Sequence, residues 1–350
     1  MKTKVAAIFL LIIVVFIVNA LNDAGAFKNI EPHSDIKDIK IYTNVAGTED
    51  LDMDRKKGLL FISSTNRWHI DHSDTSKDGI YLLDLNAQKM SEPVLLETTY
   101  KGEFHPHGIS FLSKNDQDYL FVINHNLKGN FIEVFQFEDN LLTHIKTYEH
   151  EQMCCPNDLV AVDIDKFYVS NDHGAAKGFA RTLEEYLKLA NSYLLYFNGK
   201  TYSKALEGLS YANGVNVSHD GKTLYVTEVS GGKIFVMNRD VKTGKLTLRF
   251  AKDLNTGLDN VDIDEDGNIW IGAHPQLLAF VGHAQNPSEI SPSQVLMLTH
   301  KGEDDFKVSE VYLNKGEEIS ASSVALRYKD QIFVGVVFEN KLLRGTFKVE

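Results

Sequence analysis

One hairpin pattern recurs six times along this 350-residue chain, and that repeat sets what the chain can fold into. The clearest copy, Ala212 to Glu228 (ANGVNVSHDGKTLYVTE), has alternating apolar residues, an Asp220-Gly221 turn and a second strand with a polar end. Leu258 to His274 repeats it with its own Asp266-Gly267 turn. Looser copies run from Glu49 to Ser64, His107 to His125, Asn157 to His173 and Ser322 to Val337. Their opening positions, Glu49, His107, Asn157, Asn213, Asp259 and Ser322, lie 58, 50, 56, 46 and 63 residues apart. Further strand patterns at 79–85, 131–137, 192–197, 233–238, 294–298 and 342–348 fill the units.

Units of about 40–50 residues or a little more, each with roughly four short strands, are blades of a β-propeller. The expected fold is therefore all-β: a six-bladed β-propeller spanning residues 46–350 as one domain, with residues 21–45 as a lead-in. A short helix is expected from Arg181 to Ala190. There Leu183, Tyr186, Leu187 and Ala190 recur at helical spacing after Thr182, and the helix would cover one end of the propeller.

In such a ring, equivalent positions on the innermost strands face one axis. An antiparallel hairpin also returns the end of its second strand to the level where the first began. His125 should then sit beside His107, Asn171 to His173 beside Asn157, Glu228 beside Asn213, and His274 beside Asp259. The result is a polar mouth of Glu49, Asp50, Asn157, Asp158, Asn213, Asp259 and Asn260, ringed by His107, His125, His173 and His274. Carboxylates gathered there would repel one another, and a cation resolves the conflict. Oxygen donors from Asp, Glu and Asn suit Ca²⁺, with its six to eight flexible contacts, better than Zn²⁺. Turn capping explains any one of these residues, but not coincidence at one register in five copies. Taken singly, His125, His173 and His274 read as structural histidines.

Composition narrows the function. Lys+Arg number 36 against 48 Asp+Glu, a net charge of −12 that argues against a nucleic-acid partner. After Lys2 and Lys4 comes an apolar run of 14 residues, Val5 to Val18, then Asn19-Ala20. Residues 1–20 thus read as a secretory signal, or as an anchor giving membrane association if left uncleaved. Either way the folded part is expected to be secreted, periplasmic or otherwise extracytoplasmic. The two cysteines, Cys154 and Cys155, are neighbours and cannot staple distant strands. They read as buried or partly buried thiols, with a vicinal disulfide or a metal role as alternatives. Gly208-Leu209-Ser210-Tyr211-Ala212 lacks the final glycine of a serine-hydrolase elbow, and His150-Glu151 has no second His at zinc-site spacing.

The segments Glu49-Asp50-Leu51, Pro106-His107-Gly108-Ile109-Ser110, Asn124-His125, Asn157-Asp158-Leu159-Val160-Ala161-Val162, Asn171-Asp172-His173, Ala212-Asn213-Gly214, Asp259-Asn260 and Gly272-Ala273-His274-Pro275 occur in order from about Gly47 onward. Together they resemble the paraoxonase/arylesterase family. The resemblance implies two tunnel calcium ions. A catalytic ion would be held by Glu49, Asn157, Asn213, Asp259 and Asn260, and a structural ion by Asp50, Asp158 and the backbone carbonyl of Ile109. It implies that His107 and His125 are the family's histidine pair and that His173 and His274 lie near the pocket wall. The implied activity is hydrolysis of lactones and aryl esters, with organophosphates as side substrates: water attacks a calcium-polarised carbonyl, with His107, oriented by His125, or a carboxylate near the metal as base.

The chain departs from the family's animal members in three places. No cysteine is present to tie its ends, Cys154-Cys155 precedes Pro156-Asn157, and Gly174 to Arg181 replaces an aromatic-rich segment. The alternatives are a sugar-lactone hydrolase of the senescence-marker/gluconolactonase type and a non-enzymatic, calcium-stabilised binding propeller.

Overall fold

The structure, a computed structural model, describes the chain except for Met1 and residues 69–76, 88–91, 177, 179–180, 182–183, 185–187 and 349–350. Its strands form six sheets, the blades of a six-bladed β-propeller, antiparallel apart from the short edge strand Glu97–Thr98, which pairs parallel with Leu141–Tyr148. The innermost strands are Thr48–Asp54, Pro106–Lys114, Pro156–Asp163, Ala212–Val217, Gly257–Ile263 and Ser322–Tyr328. Each pairs with the next strand in sequence, as hairpins of alternating apolar residues require.

The apolar faces meet between blades. Leu120, Val122 and Phe135 of the second blade pack against Phe61 and Leu82 of the first. The same arrangement recurs at every junction, as with Phe121, Ile132, Phe167 and Leu195 between the second and third blades. Each fully buried Leu, Ile or Phe contributes about 1.5–3 kcal/mol. The propeller is thus held by six lateral cores rather than one central one, which leaves the axis to polar residues.

The lead-in residues supply outer strands. His33–Ser34 pairs with Phe306–Asn314 of the fifth blade, and Lys37–Tyr42 pairs antiparallel with Leu342–Thr346 of the sixth. Ile41 lies opposite Leu343, which is fully buried, so the two ends of the chain close one sheet by hydrogen bonds and apolar contact.

Two helices accompany the strands: α1 (Lys2–Asp23) and α2 (Leu277–Gln285). The side chains of Ile8 to Val18 in α1 are exposed. Among the described residues no helix is long and apolar enough to cross a membrane. Beyond α1 the chain returns to the propeller, where Ala24 O accepts from Leu277 N. The sequence pattern did not single out α2. Half of the helix expected at 181–190, residues 182–183 and 185–187, falls outside the described residues.

Closure by strand pairing makes a specific demand. Leu343→Ala should lower stability by about 2–5 kcal/mol, the usual cost of truncating a buried Leu, while exposed Lys37→Ala should stay within about 0.5 kcal/mol. Urea unfolding midpoints check both.

Candidate metal centre

The inner strands share one irregularity. In every blade the register against the second strand shifts once near the strand's start: at 48/50, 106/109, 156/159, 212/215, 258/261 and 322/324. A β-bulge of this kind puts two residues opposite one and frees both from strict alternation. The bulge residues are Glu49, His107-Gly108, Asn157-Asp158, Asn213-Gly214, Asp259-Asn260 and Ser323. The sixth copy therefore aligns on Ser323, one residue later than its hydrophobic pattern places it. Ser323 Oγ bonds Glu49 O at 2.7 Å, whereas Ser322 Oγ bonds Gln294 O and Ala273 O. Gly108 and Gly214 allow the inner strands to touch: a Cβ on Gly108 would lie 2.6 Å from Asn157 O, and one on Gly214 2.7 Å from Asp259 O.

Five buried oxygens on these bulges have no hydrogen-bond partner among the described residues: Glu49 Oε2, Asn157 Oδ1, Asn213 Oδ1, Asp259 Oδ1 and Asn260 Oδ1. Each such orphan costs about 1–3 kcal/mol, so a set of five on one level needs a partner. Their other atoms are anchored. Asn260 Nδ2 donates to Glu49 Oε1 at 3.0 Å, which turns Asn260 Oδ1 outward, and Asp259 Oδ2 meets His274 Nε2 at 2.6 Å. Two carboxylates and three amide oxygens of this kind fit a hard cation with a loose coordination shell. Among the described residues no group of three or more His, Cys, Asp or Glu side chains is placed to hold a metal, as a zinc site would require.

Deeper along the axis lies a cavity of about 20 Å³ lined by Asp50, Asp52, Ile109, Ser110, Asp158 and Val215. Asp50 accepts the N–H of Leu51 and of Ile109, and Asp158 those of Leu159 and Val215, so each carboxylate also staples its blade to the next. Burial pushes the Asp50 carboxyl well above its ordinary range, reinforced by Asp158 and Glu49. Burial does the same to Asp158. Asp52 is raised to about 7, again chiefly by burial.

At the upper level burial also acts on Glu49. There the charge of His107 and its hydrogen bond, with help from Arg67 and Asn260, outweigh burial and hold the carboxyl at about 2. His107 Nε2 lies 3.4 Å from Glu49 Oε1, and its side chain keeps 19% exposure against 3% for Glu49, so water reaches the histidine. His107 and His125 meet edge to face with ring centroids 4.9 Å apart. Asn130 Nδ2 donates to Cys154 O, so Asn130 Oδ1 accepts from His125 Nδ1 at 2.6 Å. That bond fixes the proton on Nδ1 and leaves Nε2 bare. Burial, then the nearby His107, lowers His125 to about 4, so it is neutral at physiological pH.

The remaining sequence candidates border this mouth. His274 is buried with Phe280 of α2 across its ring at 4.2 Å, and His173 bonds Asp172 at 2.6 Å with Tyr211 alongside. Glu228 does not join the others: its Oε1 accepts the Ser210 N–H, so it points into a loop. Pattern reading missed Arg67. Its guanidinium donates to Gly47 O and Pro106 O and reaches the field of Glu49, Asp259 and Asp50. It also missed Asn130 and the aromatic wall of Trp68, Phe280 and Phe338. All of these lie off the repeat, so no periodicity marks them.

The axial carboxyls fix how stability depends on pH when no cation is bound. Asp50, Asp52 and Asp158 have folded pKa values above those of the unfolded chain, so the folded state binds more protons and stability falls as pH rises through the window. His125 works the other way, but only below its ordinary 6.5. As pH rises above about 6.5 the urea midpoint of chelator-treated protein should therefore decrease. A midpoint that rises would contradict the assignment.

Comparison with known proteins identifies the family. Residues 36–344 match the family model described as Arylesterase. Human serum paraoxonase/arylesterase 1 is 35% identical over 309 residues, covering 85% of each chain, and chicken serum paraoxonase/arylesterase 2 is 35% identical over 305 residues with the same coverage. Among solved structures, a gluconolactonase from Xanthomonas campestris superposes with a TM-score of 0.57 at 12% identity, covering 89% of this chain and 91% of that one. Regucalcin from Agrobacterium tumefaciens, a calcium-binding protein, superposes at 0.50 with 12% identity, covering 92% and 96%. At such identities the solved structures show a shared fold alone. The sequence relatives and the family model carry more: this chain belongs to the arylesterase family.

Proposed function

We propose that this chain is a calcium-dependent hydrolase of lactones and aryl esters, acting at the bulge level of the propeller axis. The observation that carries the reading is the meeting of five partnerless oxygens with an accessible His107, 3.4 Å from Glu49. Glu49, Asn157, Asn213, Asp259 and Asn260 would hold the catalytic ion, and Asp50, Asp158 and the Ile109 carbonyl a second, structural one. A bound calcium ion supplies Lewis-acid polarisation of the substrate carbonyl and compensation of the oxyanion.

The protein's own residues supply the rest. His107 takes a proton from the attacking water and later returns it to the leaving oxygen, a contribution of about 10²–10⁴-fold. His125, neutral and with its Nδ1 proton held by Asn130, offers Nε2 as an acceptor that orients His107 and shares the proton. Asn260 and Ser323 fix the Glu49 backbone, so the carboxylate cannot swing away. His274 holds Asp259 in place. Trp68, Phe280 and Phe338 present ring faces and edges suited to an aryl group or the alkyl part of a lactone. His173, with Tyr211, borders the opposite side of the mouth. The sugar-lactone alternative shares the inner-strand Glu and Asn pattern, and the His107–His125 pair favours the lactone and aryl ester reading.

The relatives are named as serum proteins, which supports the reading of the N-terminal apolar segment as a route out of the cytoplasm. An uncleaved segment would keep the protein at a membrane.

Turnover of a phenyl acetate and a lipophilic lactone, with and without chelator, tests the function. Activity should vanish on chelation and return with Ca²⁺. Chelation that lowers stability in a protein without turnover would instead support a calcium-stabilised binding propeller. His107→Gln should lower kcat about 10²–10⁴-fold while calcium affinity is retained. Unchanged kcat would remove the histidine pair from the mechanism.

A further inference from the structure

Cys154 and Cys155 belong neither to the cation cage nor to the histidine pair, yet the peptide that joins them is tied to the site through its carbonyl. Its carbonyl, Cys154 O, accepts from Asn130 Nδ2 at 2.7 Å, and Asn130 Oδ1 holds His125 Nδ1 at 2.6 Å. Its N–H, from Cys155, points at Asn171 Oδ1 at 3.4 Å. The two sulfurs lie 3.0 Å apart, with Cys154 half-buried and Cys155 buried. The Cys154 sulfur faces His173 O at 3.3 Å and the Tyr193 hydroxyl at 3.8 Å, while Cys155 Sγ faces Ala175 O at 3.7 Å.

We propose that Cys154 and Cys155 form a reversible vicinal disulfide, a thiol-modification site whose closure moves Asn130 and with it His125. A bond between neighbouring cysteines closes a small ring that contains the Cys154–Cys155 peptide itself. Adjacent Cα atoms are about 3.8 Å apart across a trans peptide, inside the usual lower limit of about 4.4 Å for bridged cysteines. The peptide must therefore reorient to admit the bond, and the strained product is readily reduced, as labile regulatory disulfides are. The atom that reorients most directly is the carbonyl that anchors Asn130.

The oxidant is a small disulfide of the glutathione class. Cys154, the more accessible thiol, gives up its proton and attacks one sulfur of the reagent. The reagent's S–S bond breaks and one thiolate leaves. Cys155 then loses its proton, its sulfur attacks Cys154 Sγ, and the second thiolate leaves. The protein loses two electrons and two protons, and the reagent gains them as two thiols.

The consequence for turnover rests on the histidine-pair reading above, but the modification itself does not. The test uses the full-length, calcium-loaded protein equilibrated across mixtures of reduced and oxidised glutathione. Intact mass, alkylation mapping, the His125 imidazole NMR signal (assigned by its loss in His125→Gln) and aryl acetate turnover are read together. The expected result is one transition. Both thiols become resistant to alkylation, the chain lightens by two hydrogen atoms and the His125 signal shifts. Turnover falls about tenfold or more, the scale for displacing a catalytic group by a fraction of an ångström. Dithiothreitol should reverse every change, and Cys155→Ala, with basal turnover intact, should stop at a glutathione adduct on Cys154 and show no loss of two hydrogen atoms.

Thiols that alkylate throughout, or a glutathione adduct retained on Cys154, would overturn the site. A disulfide that forms without moving the His125 signal would overturn the coupling. Absence of turnover in both redox states would sink the hydrolase reading alone, because mass and imidazole signal still decide this proposal.

Discussion

Negative charge buried at the axis is the constraint on which the rest of this molecule turns. The inner strands approach so closely that Gly108 and Gly214 have no room for a Cβ, and Glu49, Asp50, Asp158 and Asp259 project into the space they enclose. Among the described residues the guanidinium of Arg67 lies in the field of Glu49, Asp259 and Asp50, and burial lowers its pKa. Protonation relieves part of the repulsion at Asp50 and Asp158, but it leaves the upper oxygens without partners. A divalent cation answers both needs, since it replaces protons below and satisfies lone pairs above.

The fold distributes its stabilising interactions so that this axis is tolerable. Apolar burial sits in six inter-blade cores, away from the charges. Neighbouring inner strands share no backbone ladder, and side chains do that work. Asp50 reaches Ile109 N, Asp52 reaches Phe111 N, Asp158 reaches Val215 N, and Asn216 reaches Val261 O. The same carboxylates that create the electrostatic problem thus stitch blade to blade. Circular closure is likewise non-covalent, through the pairing of Lys37–Tyr42 with Leu342–Thr346.

Much of this was legible in the residues. Alternation and Asp-Gly turns marked the hairpins, and a shared register across blades placed Glu49, His107, Asn157, Asn213 and Asp259 at one level, where the structure puts them. Periodicity alone misses what breaks it. The bulges that let Glu49 and Asp50, or Asp259 and Asn260, both face the axis are backbone irregularities without a sequence period, and one of them moves the sixth position from Ser322 to Ser323. The outer strand that completes the sixth blade comes from the opposite end of the chain, so no local pattern ties it there. Arg67 and Asn130 act through loop and edge geometry, and α2 is too uniformly apolar to show a helical stripe.

The most direct measurement is calorimetric titration of chelator-stripped protein with Ca²⁺ in buffers of different ionisation enthalpy, wild type beside Asn213→Ala. The account predicts saturable binding with release of protons from the axial carboxyls, and markedly weaker affinity in the variant. Stripped protein that is folded and fully active, yet takes up no calcium, would contradict it.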